Sequence, residues 1–386
     1  MRIIHTADWH VGQGMRGRSR ADEHRAVLEE IVAIAAEHNA DLILVTGDQF
    51  HAGAPSPESE EIVYEALMKL ASTGAHVHVV AGNHDSPKRL RAVAPLLRLA
   101  NVTASWVASR PKDGGVVELT VERTGERAVI ASIPFLSRRT IVKADDLMNL
   151  DSSQHEGKYR DRYRQIVEAL TKDFDKETVN LVAAHVTTQG GARVGGERES
   201  QSILDYVVPA AVFPTNTHYV GLGHLHGVQR IDAGAPVWYP GSPLYMDFGD
   251  KSAEKCVLSI EAKPGRPARV TRVPLTSGRA LLTWKGTVEQ FRLHADGLGD
   301  AFVRVRLAEA RRPGLADEVR EIHSGVVEVT LEDQNDREAK EDSRTNIEDL
   351  YGSPRELFAQ YLAESDIENE EIISLFDELL EDSHAP

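Results

Sequence analysis

Residues 42–51 read Leu42-Ile43-Leu44-Val45-Thr46-Gly47-Asp48-Gln49-Phe50-His51. An apolar run that passes at once into glycine, aspartate and histidine is the pattern of a buried strand whose carboxyl end opens on a site. The same pattern recurs in both directions along the chain. Upstream, Ile3-Ile4 runs into His5-Thr6-Ala7-Asp8-Trp9-His10. Downstream, Val77-His78-Val79-Val80 leads to Gly82-Asn83-His84-Asp85, Leu181–Ala184 to His185, and Tyr219–Leu222 to Gly223-His224-Leu225-His226. Ala128–Ile133 is a further apolar strand. Between strands, Val27, Leu28, Ile31, Val32 and Ala35 share one helical face, and Ile62, Val63, Ala66, Leu67 and Leu70 share another. Strands alternating with helices predict an α/β fold. In open α/β sheets ligands bind beyond the carboxyl ends of the strands, so the five segments are expected to converge on one crevice.

The converging groups are Asp8, His10, Asp48, Asn83, His185, His224 and His226. They offer carboxylate oxygens, an amide oxygen and imidazole nitrogens, and no sulfur. Such a hard oxygen and nitrogen set suits two divalent first-row ions, manganese being the natural choice and magnesium the other candidate. Asp48, with two carboxylate oxygens, is expected to bridge them. Two ions so placed would polarise a phosphoryl group. His84 and Asp85 are not needed as ligands; an imidazole beside the site can protonate a leaving oxygen while a nearby carboxylate orients it. Each motif alone is common in turns and polar loops. All five in one order, each after an apolar strand, point to a site.

The rest of the chain sets bounds. With 386 residues, two or three domains are expected. Mean hydropathy is −0.33 and no apolar run approaches a membrane span, so a soluble cytoplasmic protein is expected. The single cysteine, Cys256, excludes an internal disulfide framework and a multi-thiolate zinc site. The formal charge is −16, but residues 331–386 hold 18 Asp/Glu against 4 Lys/Arg, which leaves the body nearly neutral and able to bind phosphate backbones through local basic clusters. After about residue 251 the texture changes, with Pro264, Pro267, Pro274 and several glycines. Val303, Val305 and Leu307 alternate with arginines, Leu315, Val319 and Ile322 space as a short helix, and Val327, Val329 and Leu331 alternate again. The expected division is a core over 1–254, a small α+β domain over 255–332, a charged linker over 333–347 and terminal amphipathic helices over 348–386.

The order Asp-x-His, Gly-Asp, Gly-Asn-His-Asp, His, Gly-His-x-His resembles that of the calcineurin-like metallophosphoesterases. The words His5-Thr6-Ala7-Asp8-Trp9-His10-Val11-Gly12, Gly82-Asn83-His84-Asp85-Ser86-Pro87 and Pro240-Gly241-Ser242-Pro243-Leu244 are similar to those of the SbcD nucleases within that superfamily. The resemblance implies mixed sheets flanked by helices, a small capping domain that contacts DNA, and terminal helices that dock on a coiled coil. It implies a first ion held by Asp8, His10, Asp48 and His226, and a second held by Asp48, Asn83, His185 and His224. It makes His84 the catalytic histidine with Asp85 as its orienter. His51, where many bacterial members carry Asp, would assist near the phosphate. The partners implied are an SbcC-like ATPase and DNA (double-stranded ends, hairpins and single strands), with a homodimer inside a heterotetramer and a nucleoid-associated location. No G-x-x-x-x-G-K-[ST] occurs, so ATP dependence would come from the partner. Candidate phosphate contacts are Arg16, Arg18 and Arg20 after the first motif, and Lys88 and Arg89 after the third. A small-molecule phosphodiesterase or phosphatase on the same fold, and a DNA-end-binding scaffold with a vestigial site, are the competing readings.

Overall fold

The computed structural model describes residues 1–137, 152–193, 207–250 and 254–331. The expected linker over 333–347 and the helices over 348–386 lie outside them. The described residues fall into two compact units, one of Met1–Thr283 with Leu298–Arg304, the other of Trp284–Gly297 and the residues from Val305 on.

The larger unit is built on two six-stranded sheets. In the first, strands β1 (Arg2–Thr6), β2 (Leu42–Thr46), β3 (His76–Val80) and β4 (Val102–Ser105) run parallel, and helices α1 (Ala21–Glu37), α2 (Pro57–Ser72) and α3 (Pro87–Leu99) connect them. In the second, β6 (Arg127–Ile133), β7 (Val179–His185), β8 (Tyr219–Gly223) and β10 (Val237–Tyr239) run parallel, with β5 (Val116–Thr120) and β9 (Gln229–Ile231) antiparallel at its edges. Helix α4 (Ser152–Thr171) comes after β6.

Every residue of β2 is buried because it has a core on each face. Ile43 and Val45 pack with Val27, Ile31, Ile62 and Leu67 of the helices. Leu42 and Leu44 pack with Ile130, Leu181 and Tyr219 of the second sheet. This is why the strand reads as a continuous apolar run instead of an alternating one. On the far side of the second sheet, Tyr163, Val167 and Leu170 of α4 pack on Val182, Val220 and Val237. Parallel strands that share a core end at the same level, and this brings their terminal loops together. Helices α2 and α3 begin alike: Ser56 and Ser86 cap the backbone N–H groups of Ser59 and Arg89, each followed by a proline in the first turn.

One expected boundary moves. The hairpin of β11 (Cys256–Lys263) and β12 (Arg266–Pro274), assigned above to the small domain, pairs antiparallel with β1 and completes the first sheet. The prolines and glycines of this stretch mark a hairpin turn at Gly265 (φ +78°) and an exposed edge strand, where proline is tolerated, and not a change of domain. Further on, strand β13 (Leu281–Gly286), helix α5 (Val288–His294), strand β14 (Phe302–Leu307), helix α6 (Leu315–Ile322) and strand β15 (Val326–Leu331) form a three-stranded sheet with two short helices. The strand–helix–strand pattern read at 303–331 is present. Among the described residues no helix is long and apolar enough to cross a membrane.

Candidate metal centre

The site lies at the carboxyl ends of β1, β2, β3, β7 and β8. Each strand stops where its next residues must turn sharply, and the turns place non-glycine residues in the left-handed region: Asp8 (φ 53°), His10 (φ 47°), Asp48 (φ 51°) and His224 (φ 106°). Such conformations cost about 1–3 kcal/mol each and persist only where neighbours enforce them. Here the loops after β1 and β2 are laced together by Asp8 N–H to Gly47 O (3.0 Å) and His10 N–H to Asp48 O (2.9 Å). Two glycines allow the loops to close up. A Cβ on Gly82 would lie 2.1 Å from Asp48 Oδ1, and one on Gly223 would lie 1.7 Å from Thr46 O.

The seven expected ligands are brought together. His10 Nε2 lies 3.1 Å from His226 Nε2, and Asp8 joins them. On the other side, Asn83 Oδ1 lies 2.9 Å from His185 Nε2 and 3.0 Å from His224 Nδ1, and those two nitrogens are 3.3 Å apart. Asp48 Oδ2 sits between the groups, 3.5 Å from His10 Nε2 and 3.6 Å from His185 Nε2. Asp48 Oδ1 accepts the His84 N–H at 2.8 Å. Asp48 thus lies within reach of both clusters, as a bridging carboxylate would. The bond from the His84 N–H also ties Asp48 to the loop that carries Asn83.

Divalent ions fit this donor set. Ligands held cis at about 2.1 Å from one ion are about 3 Å apart, close to the spacing of the paired ring nitrogens. The rings are also in the form that ligates. Burial lowers His185 to about 4 and His226 to about 3, against the raising effect of Asp48, and it holds His10 well below the usual imidazole range. These imidazoles are neutral at neutral pH. The His185 Nδ1–H donates to Thr46 O (2.9 Å), which leaves its Nε2 lone pair for the cluster. Burial acts to raise Asp48, while the His84 N–H on its Oδ1 favours the carboxylate, and the net direction is downward.

His84 is half-buried beside the clusters. Its ring stands edge-on to His10 (4.8 Å between centroids, 83°) and stacks on His51 (5.7 Å, 19°). The orienting group differs from the one expected. His84 Nδ1–H donates to the carbonyl of His51 (2.8 Å). Asp85 turns back into its own loop, where its oxygens accept the N–H groups of Gly82 (2.8 Å) and Phe50 (3.1 Å). A tight loop leaves such donors without strand partners, and a buried carboxylate is a strong acceptor for them. Burial and the charge of Asp48 push Asp85 up to about 7.

The basic candidates separate. Arg16, Arg18, Lys88 and Arg89 are exposed, and Arg89 pairs with Glu60 at 2.7 Å. Arg18 and His51 together line a cavity of about 410 Å³. Arg20 is not a surface group. It is 3% exposed, grips Glu23 with two N–H groups (2.8 and 2.7 Å), and donates to Tyr245 O (2.7 Å). The spacing Arg-x-Arg-x-Arg does not reveal that the third residue starts α1 and faces inward.

One residue escaped the sequence reading. Phe135 lies just past the carboxyl end of β6, with its ring 6.2 Å from that of His224 at 23° and 6.2 Å from that of His185 at 78°. The signal was the positional rule applied to the other strands: Ala128–Ile133 is an apolar run, and the residues just beyond its carboxyl end reach the crevice.

Two facing clusters of oxygen and nitrogen donors at the ends of two sandwiched sheets define a dinuclear phosphoesterase. Residues 1–227 match the calcineurin-like phosphoesterase family, and the chain belongs to it, in the branch of the SbcCD nuclease D subunits. It is 32% identical to the SbcCD nuclease D subunit of Bacillus subtilis (strain 168) over 395 residues, 98% of this chain and 97% of the relative. It is 32% identical over 288 residues to the same protein of Escherichia coli (strain K12), covering 73% of this chain and 70% of that one. With the counterpart from Rhodobacter capsulatus it shares 32% over 306 residues, 74% of this chain and 73% of the relative.

Proposed function

We propose that this chain is the nuclease subunit of an SbcCD-type complex, hydrolysing DNA phosphodiester bonds with two divalent ions, manganese fitting better than magnesium. The observation that carries the reading is the position of Asp48 Oδ2 between a His10–His226 pair and a His185–Asn83–His224 cluster. Asp8, His10, Asp48 and His226 would hold one ion, and Asp48, Asn83, His185 and His224 the other. Imidazoles mixed with hard oxygens favour manganese, since magnesium prefers oxygen alone. Ions held by these residues would supply charge neutralisation at the phosphoryl oxygens and would lower the pKa of an attacking water.

The chain's own residues do the rest. His84 is aimed by its Nδ1–H bond to His51 O, so Nε2 is the nitrogen left to meet the substrate. As imidazolium it gives its Nε2 proton to the leaving 3′-oxygen as the P–O3′ bond breaks. Water oxygen bonds to phosphorus and its released proton passes to solvent, from which His84 is later reprotonated; the product end carries a 5′-phosphate. His51, stacked on His84, supports that ring and borders the phosphate. Asp85 fixes the loop that presents Asn83 and His84. Arg16, Arg18, Lys88 and Arg89 are offered to the DNA backbone. The unit beyond residue 283 would act as the cap, and residues 348–386 as the docking element for the base of the partner's coiled coil. A homodimer within a heterotetramer completes the assembly, and ATP enters through the partner.

The test is digestion of labelled duplex ends, hairpins and single strands with manganese, with and without the ATPase subunit and ATP. Bis-p-nitrophenyl phosphate and cyclic nucleotides are run in parallel. Cleavage of the small esters with no attack on any DNA would replace the nuclease reading by a small-molecule phosphodiesterase.

A further inference from the structure

We infer that Phe135 is a substrate-positioning residue: its ring stacks on the nucleobase next to the scissile phosphate, on the His185–His224 side of the centre. The inference rests on the nuclease reading and adds a contact to it. Strand β6 is parallel to β7 in the register Ile133↔Ala184, so the chain beyond β6 emerges level with His185. The Phe135 N–H donates to Ala81 O (3.0 Å), which ties it to the loop that opens with Gly82 and Asn83. Its ring lies nearly parallel to that of His224 and edge-on to that of His185, immediately outside the cluster those residues form with Asn83.

The apolar cores do not account for a phenyl group at this place. Phe135 belongs to none of the three apolar cores among the described residues, whereas its neighbour Leu136 is 3% exposed and sits in the core beneath α4. Phe135 is half-buried. It is held at the rim of a polar site by its backbone instead of sinking into the interior. The opposite flank carries the imidazoles of His51 and His84, which can exchange protons. A phenyl ring can neither donate nor accept a proton, so its use is its face. A phosphodiester seated between the clusters has a nucleotide on either side, and Phe135 borders the His185–His224 side. Stacking on an aromatic side chain tolerates every base.

The experiment measures binding and turnover of Phe135→Leu, Phe135→Ala and Phe135→Tyr. Affinity for a short labelled single strand is read by fluorescence anisotropy with manganese present, on hydrolysis-resistant phosphorothioate strands, one normal and one made abasic throughout. Metal stoichiometry is read by calorimetry. The Leu and Ala variants should weaken binding of the normal strand roughly 5- to 150-fold and raise KM on DNA in parallel, with kcat little changed. Tyr should restore both. Binding of the abasic strand should be the same in wild type and variants, and all should load two ions. Wild-type affinity for the normal strand in Phe135→Leu would overturn the inference and leave the nuclease reading standing. So would lost metal binding with DNA affinity intact, which would make the ring a wall of the metal site. A wild-type protein that hydrolyses bis-p-nitrophenyl phosphate but neither binds nor cuts DNA would end the nuclease reading, and this inference with it.

Discussion

Asp48 divides its two oxygens between two tasks, and the division decides what its loss does. Oδ1 holds the His84 N–H and so the loop of the third motif; Oδ2 stands between the two clusters. In Asp48→Asn an amide can serve the first task but presents N–H groups, or a neutral oxygen, to the ions. The expected outcome is loss of both ions by calorimetry and no metal-dependent cleavage. His10→Ala should lose one ion, since the other cluster keeps its ligands. Full activity of the Asp48 variant at micromolar manganese would refute the shared ligand. His84 calls for a different expectation, because it stands beside the clusters and is aimed by a carbonyl. His84→Ala should retain both ions while turnover on DNA falls ~10²–10⁴-fold. The fall should be smaller on bis-p-nitrophenyl phosphate, whose leaving group scarcely needs a proton. An equal fall on both substrates would mean that the ring positions substrate instead of protonating it.

Two buried histidines act at the scale of the elements, as struts between the sheets. His5 on β1 joins Tyr219 OH on β8 and Thr46 Oγ1 on β2, each at 2.7 Å. His78 on β3 joins Ser132 Oγ on β6 (2.7 Å) and Thr103 Oγ1 on β4 (2.9 Å). Burial lowers both to about 3 from the ordinary 6.5. Between pH 6.5 and 3 the unfolded chain binds protons that the folded chain refuses, so stability falls as pH falls through that window, by about 1.4 kcal/mol per pH unit for each ring. The melting temperature of the metal-free protein should drop between pH 6.5 and 4.5, and His78→Gln should flatten that slope while lowering stability at pH 8. An unchanged slope would show that other groups set the acid limit. Arg20 works at the same scale. It ties the start of α1 to Tyr245, and breaking a buried ion pair by removing one partner costs about 3–5 kcal/mol. Arg20→Met should therefore lower the melting temperature markedly. Arg18→Ala, at an exposed position, should leave it almost unchanged, weaken DNA binding, and reduce the salt dependence by about one phosphate contact. The reverse pattern would return Arg20 to the DNA surface.

At the scale of the molecule, the charge is concentrated at one end of the sequence: residues 331–386 account for 18 of the 60 acidic groups with only 4 basic ones. A segment so acidic is poorly suited to DNA and well suited to a groove on a partner. Ser353-Pro354-Arg355-Glu356 carries helix-start residues, ahead of apolar stripes at Leu357, Phe358, Tyr361 and Leu362 and at Ile372, Leu375, Phe376, Leu379 and Leu380. Truncation after about residue 340 should leave cleavage of short substrates intact. It should weaken co-purification with the ATPase subunit and ATP-dependent digestion of long duplexes. Undiminished capture of the ATPase subunit would refute the docking role, and a large fall in melting temperature without the partner would show that the tail packs on its own chain.

The sequence by itself determined the α/β class and marked, after five apolar strands, the seven candidate donors that the fold brings together. Those features are written locally: an apolar run followed by a turn and a ligand is visible within ten residues, and the topology then brings the ends together. Tertiary structure alone decided how the donors are used. How Asp48 is held depends on a hydrogen bond from residue 84, and which group aims His84 depends on a carbonyl 33 residues away. Whether Arg20 reaches solvent depends on Glu23 and on a carbonyl 225 residues away. The placement of Cys256–Pro274 in the first sheet depends on pairing with a strand at the other end of the chain. Partners so distant leave no periodicity in the local sequence, because hydrogen bonds are satisfied in space and not along the chain.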